Sequence, residues 1–445
     1  MPADDLLPGR RGRKVLVDVT PLRELPDYRR LVTAGLISTV GSQLTVVAVA
    51  YQVFRQTGSS FQVGAVSVAT LIPLIVGSLI GGSVGDAVDR RKILWISALV
   101  LSTTSATLAL NAASAHPTTW IIYVVSAVSG GLIGFSDSSE AASAATLVGP
   151  AHLSAAAALN QIIMQAGVIV GPAAAGLLIA NVGIDWVYVV DACTFLVSAA
   201  LLWRLSPIPP VPGTTRPGLA SVAEGLRTLR GNAPLKGIFA IDLNAMVFGM
   251  PRAIFPALAL GPLHVGVRGL GYLYAAPGVG AFLGSVGSGW VAHVRRQGRA
   301  VVIAVLVWGA AITVFGLVHV FWVALVLLAV AGWADVLSAV LRSTILQTTV
   351  PEEFRSRLTS VQMAVVQGGP RLGDLEAGSV ASIASPQFSV VSGGLACIAG
   401  ALITAARLPG FVRHERPGIE RASRDPVGDT PPRSHTQANH QADDM

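Results

Sequence analysis

Gly82-Ser83-Val84-Gly85-Asp86-Ala87-Val88-Asp89-Arg90-Arg91-Lys92 closes one apolar run, 62–85, and leads into another, 93–112. Lipid offers no partner to a backbone amide, so a chain crosses about 30 Å of hydrocarbon as a helix of roughly 20 mostly apolar residues. Two such runs separated by a short charged turn read as a helical hairpin through a membrane. The turn has chemistry of its own. Glycines let two helices approach closely, and a carboxylate at a helix end can receive N–H groups from a neighbouring helix start and pair with guanidinium groups nearby. We expect Gly82, Asp86, Arg90 and Arg91 to form a latch that holds a gate shut in one state. The plainer reading is that Arg90, Arg91 and Lys92 only anchor the topology.

Outward from this stretch the whole chain has the same character. Of 445 residues, 52% are hydrophobic and 12% charged, and the mean hydropathy is +0.63; a soluble domain carries about 25% charged residues. A soluble multidomain enzyme and a disordered protein are both excluded. Twelve apolar runs are long enough to span: 31–54, 62–85, 93–112, 119–144, 158–180 and 184–204, then 235–261, 268–292, 300–318, 320–347, 359–382 and 388–407. The first follows thirty polar, basic residues without a small-residue cleavage site, so it reads as a retained span. Cys193 and Cys397 lie far apart in apolar runs and offer neither a disulfide framework nor a metal cluster.

The net charge of +7 raises the question of nucleic acid, which the placement of the cations answers. With the amino terminus inside, 27 of the 31 Lys and Arg residues fall in inner segments, Arg342 among them; Arg55 and Arg268 are outer, and Arg252 and Arg371 lie within spans. That asymmetry predicts both termini on the cytoplasmic side of the cell membrane, lipid as the partner and no nucleic acid.

The two halves repeat. A shift of 207 residues places Gly64 on Gly271, Gly77 on Gly284, Gly82 on Gly289 and Asp86 on His293, with a cluster of cations following in each half. The expected organisation is a basic segment 1–30, a six-helix bundle 31–204, a linker 205–234 containing Pro207-Ile208-Pro209-Pro210-Val211-Pro212, a second bundle 235–407 and a disordered polar tail 408–445. Parallel repeats of this kind hold a binding site between the halves near the midplane.

Charges inside spans are costly and tend to line a path or to pair. The chain has Asp137 and Glu140 in its fourth run, Asp191 in the sixth, Asp242 and Arg252 in the seventh, Asp335 in the tenth, and Arg371, Asp374 and Glu376 in the eleventh. Asp137, Glu140 and Asp191 are placed near helix ends, facing water. Arg371 and Asp374 share a helical face, which suits either a proton-coupling site or a static pair. Small residues at Gly167, Gly171 and Gly176, with Pro172 removing a backbone donor, mark the fifth run as a close-packing helix.

These pieces carry a resemblance. The Gly82–Lys92 turn resembles the loop 2-3 signature of the major facilitator superfamily, with Ala87 where an Arg is common. Gly167–Gly176 is similar to the Gly-Pro motif that exporters of that superfamily place on their fifth helix, with Ala175 replacing a frequent Gly. Arg252–Ala259, Gly271–Ala276, Leu346–Pro351, Gly373-Asp374 and Asp18–Arg23 are similar, in order and spacing, to the enterobactin exporter group of the superfamily, over residues 18–410. The resemblance implies an all-α protein of twelve transmembrane helices in two pseudo-repeats, exporting a siderophore with protons as coupling ion. Under it Arg252 faces the cavity and attracts an anionic, catechol-rich ligand, while Arg252, Asp335, Arg371, Asp374 and Glu376 are the candidates for substrate or proton. A multidrug or macrolide exporter fits the same features. No cofactor, metal or enzymatic activity is expected, and there is no Gly-x-x-x-x-Gly-Lys loop for ATP.

Overall fold

The computed structural model describes residues 19–85, 87–209, 232–350 and 352–415, and all their regular structure is helical. The order is α1 (Thr20–Glu24), α2 (Pro26–Thr57), α3 (Ser60–Gly85), α4 (Arg90–Ala113), α5 (Thr119–Asn181) and α6 (Ile184–Trp203). There follow α7 (Ala233–Phe248), a 3-10 turn (Arg252–Ile254), α8 (Phe255–Leu260), α9 (Gly266–Val286), a second 3-10 turn (Ser288–His293), α10 (Gln297–Phe315), α11 (Phe321–Thr349), α12 (Glu352–Ile383), α13 (Pro386–Arg407) and α14 (Pro409–Val412).

Nine helical stretches among the described residues are long and apolar enough to cross a membrane. One of them, α5, has 63 residues and accounts for two runs: at Gly149 the backbone turns to φ 65°, ψ 174°, dividing it into limbs 119–148 and 150–181. A positive φ suits glycine, and Pro150 directly after it cannot continue the hydrogen-bond ladder. The remaining runs are α9 and α12, the latter carrying Arg371, Asp374 and Glu376 within its apolar stretch.

Lipid tails are as apolar as leucine, so helix association here depends on close packing rather than on expulsion of water. A Cβ at Gly77 would collide with the Gly131 carbonyl oxygen, and one at Gly81 with that of Phe135, so α3 lies directly on the first limb of α5. α2, α4, α5 and α6 pack among themselves, as do α7, α9, α10, α11, α12 and α13; contact between the two groups runs mainly through α3 with α12 and α5 with α9. A shift of 207 residues maps α3 onto α9, and α12 onto the second limb of α5, so these are two copies of one junction.

Several expectations need correction. Arg342, counted with the inner loops, lies inside α11, 3% exposed, because Asp242 on α7 pairs with it. Asp191 is 1% exposed in the body of α6, whereas on the first limb of α5 Glu140 is half-buried and Asp137 is exposed, away from the helix end. Residues 408–415, expected in the disordered tail, fold back: Phe411 is fully buried against Gly237 and Gly298, and Glu415 pairs with Arg296 at 3.3 Å. The tail from 416 onward, most of the linker (210–231) and the basic residues 1–18 lie outside the described residues.

Candidate functional site

The seventh apolar run is not one helix. α7 stops at Phe248, the chain unwinds through Gly249, Met250 and Pro251, and helical structure resumes in the 3-10 turn and α8. Pro251 and Pro256 have no N–H to give, so the helical ladder cannot run through them. Backbone groups freed inside a membrane bundle must find other partners. Three helices supply them. Trp308 Nε1 on α10 donates to the Gly249 carbonyl (2.8 Å), Tyr274 Oη on α9 donates to the Arg252 carbonyl (2.9 Å), and the Ala253 N–H donates to Asp374 Oδ1 on α12 (3.1 Å).

Asp374 also reaches the other group of helices, for its Oδ2 accepts from Ser67 Oγ on α3 at 2.7 Å. One turn earlier, Arg371 donates through Nε to Thr70 Oγ1 at 3.3 Å and through Nη1 to the Gln367 carbonyl. The two residues share a face, as expected, yet no ion pair within 4 Å joins them among the described residues. Each is bonded to a hydroxyl across the junction instead. Arg252 lies within electrostatic reach of Asp374 and Arg371, and Asp137 within reach of Arg371. Glu376 is two residues beyond Asp374, about 200° around the helix, and takes no part in these bonds.

Asp335 lies elsewhere, on α11. It lines a small cavity with Arg252, Gly249, Trp308 and Pro277, and its Oδ1 is buried without a protein hydrogen-bond partner. Asp242 and Arg342, whose Nη2–Oδ1 distance is 2.8 Å, are almost wholly enclosed. In the first group, Asp191 accepts from Thr45 Oγ1 (2.6 Å) and Ser105 Oγ (2.7 Å).

The structure divides the expected latch. Gly82 and Arg90 are buried, the Arg90 Nε donates to the Gly85 carbonyl at 3.3 Å, and Asp86 lies outside the described residues. The carboxylate that caps α4 is Asp89: its Oδ1 accepts from the Arg91 N–H and, from the segment just beyond α6, the Ile208 N–H, both at 3.0 Å. Sequence reasoning missed Asp89, although an aspartate directly before a helix is the usual signal for an N-cap. The fifth-run motif is likewise divided between neighbours. Gly167 and Gly171 press on Thr39 and Gln43 of α2, whereas Gly176 presses on Val267 and Gly271 of α9.

Both junctions close at the same end. α3 and α12 touch from Ser60 with Gly378 to Leu71 with Gly368, and α5 and α9 from Gly176 with Val267 to Gln165 with Gly278, where Gln165 Nε2 donates to the Gly278 carbonyl at 2.8 Å. Farther along, the same faces are uncovered: Ile75 on α3, Met363 on α12, Ile162 on α5 and Phe282 on α9 are all exposed. The two groups are joined at the end holding residues 58–59 and 384–385 and splayed at the end holding residues 87–89.

A helical membrane bundle in two repeated halves, meeting around a broken span and open at one end, is a transporter of the major facilitator fold. The chain belongs to the family described as transmembrane secretion effector, which it matches over residues 18–424. It is 28% identical over 402 residues to the enterobactin exporter EntS of Citrobacter koseri, covering 90% of this chain and 96% of that protein. To EntS of Escherichia coli O1:K1 it is 29% identical over 379 residues, 85% of this chain and 91% of the other. Among solved structures, the nucleoside transporter NupG superposes with a TM-score of 0.68 at 12% identity (86% of this chain, 98% of that one). A POT family transporter in complex with 5-aminolevulinic acid does so with a TM-score of 0.68 at 10% identity (87% and 97%). These two share the fold. The protein is a multi-pass membrane transporter of small molecules and not an enzyme.

Proposed function

We propose that the protein exports an enterobactin-like siderophore from the cytoplasm across the cell membrane by alternating access, driven by the proton gradient. The observation that carries this reading is the junction of Asp374 and Arg371 with Ser67 and Thr70, set against the broken seventh span and closing one end of the bundle while the other stands open. Similarity to EntS over most of both chains supports the cargo class. A catechol-rich ligand is anionic, and Arg252 and Arg371 sit where the two halves meet.

Orientation follows from the cations. Arg90, Arg91, Lys92, Arg204, Arg295, Arg296, Arg299 and Arg407 gather at the splayed end, Arg55 and Arg268 at the joined one. By the positive-inside rule the open end is cytoplasmic and both termini are inside. The structure then represents the state that loads cargo. Arg90, Arg91 and Gly82, with Asp86, latch the opposite state once the splayed helices come together; Pro172 and Gly176 hold the second junction in register, while Gly167 and Gly171 seat α5 on α2. Asp374 and Arg371 gate the first junction, with Glu376 lying behind it.

Deleting the gene in an iron-starved cell tests the cargo: the siderophore should accumulate inside. Unchanged secretion together with new drug sensitivity would replace this reading with a multidrug or macrolide exporter.

A further inference from the structure

The second half contains charges that the junction does not use. Asp335, Ser338 and Arg342 follow one another on one face of α11, at spacings of three and four residues. Arg342 Nη1 donates to Ser338 Oγ at 2.9 Å, and its Nη2 meets Asp242 Oδ1 on α7 at 2.8 Å. The arginine is therefore hydrogen-bonded to Ser338 and ion-paired with the far carboxylate. Its Nε, the Asp335 Oδ1 and the Asp242 Oδ1 are all buried without a hydrogen-bond partner, so the contact with Asp242 is an ion pair without an aligned hydrogen bond.

Asp335 is not sealed off. The cavity it shares with Arg252 and Trp308 leaves about 20 Å³ for the centres of water molecules, room for about one. On the other side of the arginine a second cavity, of about 10 Å³ by the same measure, is lined by Asp242, Arg342, Leu346 and Gln362. Asp335 at the first cavity and Arg342 with Asp242 at the second follow one another from the broken span towards the splayed end, where α11 finishes at Thr349. The charged groups facing Asp335 are Arg342 on its own helix, Asp242 on α7 and Arg252 on the 3-10 turn. α10 presents Trp308, and α9 presents Pro277, with Tyr274 held on the Arg252 carbonyl.

We infer that Asp335, Arg342 and Asp242 form a proton-exchange site in the second half, distinct from the junction carboxylate Asp374. A proton arriving through the cavity binds Asp335 and leaves Arg342 paired with Asp242. When it departs, the Asp335 carboxylate competes for the arginine, and the shared cation links α7 to α11 differently in the two states. Charge balances in both: one proton is gained or lost, no other bond changes, and the arginine stays charged. A carboxylate held without a donor beside an arginine held by another carboxylate is the arrangement such an exchange requires.

The inference rests on the reading of the chain as a gradient-driven exporter, and it has a test that needs no cargo. The full-length protein in liposomes is titrated from alkaline to mildly acidic pH while infrared difference spectra record the carbonyl stretch of protonated carboxylic acids. The expected result is a band that Asp335→Asn removes, Asp335→Glu restores at a shifted frequency, and Asp242→Asn moves along the pH axis. A band unchanged in Asp335→Asn, or no such band in the unaltered protein, overturns the inference. If Asp335→Asn fails to fold, as judged by its thermal midpoint, Asp335→Glu decides: an unshifted band overturns the inference. Enterobactin flux in the same liposomes separates the two ideas. Loss of its acceleration by a pH gradient in Asp335→Asn supports the exchange site, whereas absence of gradient-driven flux in the unaltered protein sinks the exporter reading and leaves the infrared assignment of the proton intact.

Discussion

The two junctions between the halves are copies of one design with different chemistry. Between α3 and α12 the contacts are hydroxyl to carboxylate and hydroxyl to guanidinium, at Ser67 with Asp374 and Thr70 with Arg371. Backbone also meets backbone there, Gly64 against Asp374 and Gly378 against Ser60, whereas between α5 and α9 the contacts are Gly271 against Gly176 and Pro172, with an amide hydrogen bond from Gln165 to the Gly278 carbonyl. The positions 207 residues before Asp374 and Arg371 are Gly167 and Met164. The two copies therefore differ in one respect: the first adds ionisable side chains bonded to hydroxyls across the junction, and among the described residues the second has no such bond. A transporter that rocks needs one junction that senses and one that keeps register, and a symmetric pair would do neither job separately.

The largest test of that division is to close the open end. Ile75→Cys with Met363→Cys, in a chain whose native cysteines are replaced, should form no disulfide in the open state and should cross-link as cargo drives the halves together, with transport lost on cross-linking and regained on reduction. If cargo never alters the cross-linking rate, the rocking motion is wrong. Next comes the steric junction. Gly271→Val places a Cβ about 2.5 Å from the Pro172 carbonyl oxygen, an overpacking that costs about 1–3 kcal/mol; the thermal midpoint should fall and transport with it, at every pH.

At the sensing junction the pattern should invert. Asp374→Ala leaves the Ser67 hydroxyl and the Ala253 N–H without an acceptor, a cost of about 1–3 kcal/mol, while Asp374→Asn keeps the acceptor and removes the charge. Equal stability of Asn and wild type with unequal transport would assign the charge to function, whereas equal transport would reduce Asp374 to a cap on the broken span. Ser67→Ala should cost about 0.5–1.5 kcal/mol. The smallest effect is expected at the rim of the other junction, where Arg268 Nη2 donates to Asn181 Oδ1 at 2.5 Å in the open: Asn181→Ala should change the thermal midpoint by less than about 1 kcal/mol equivalent.

A second copied contact also differs between the halves. In the first half Asp89, at the head of α4, accepts from the Ile208 N–H; 207 residues later Arg296, before the head of α10, pairs with Glu415. The segment leaving each half loops back to brace the third helix of that half. None of this is visible in composition. Residues 408–415 read as tail because they are polar and carry Pro409, yet the apolar Phe411 is anchored by the empty faces of Gly237 and Gly298.

What could be read without coordinates was periodic or additive. Apolar runs of spanning length, cations gathered beside alternate runs and glycines recurring at one interval gave the spans and the duplication, because the bilayer imposes those patterns locally on any chain that crosses it. The intramembrane charges were found for the same reason, since each stands out against an apolar background. Their partners were not. Arg342 looked like a loop cation until α7 brought Asp242 to it, Asp374 looked like the partner of Arg371 until α3 offered two hydroxyls, and the seventh span looked continuous until three neighbouring helices compensated its broken backbone. Burial, pairing and the end at which the halves part depend on residues hundreds of positions away, and only the packed fold places those residues within reach.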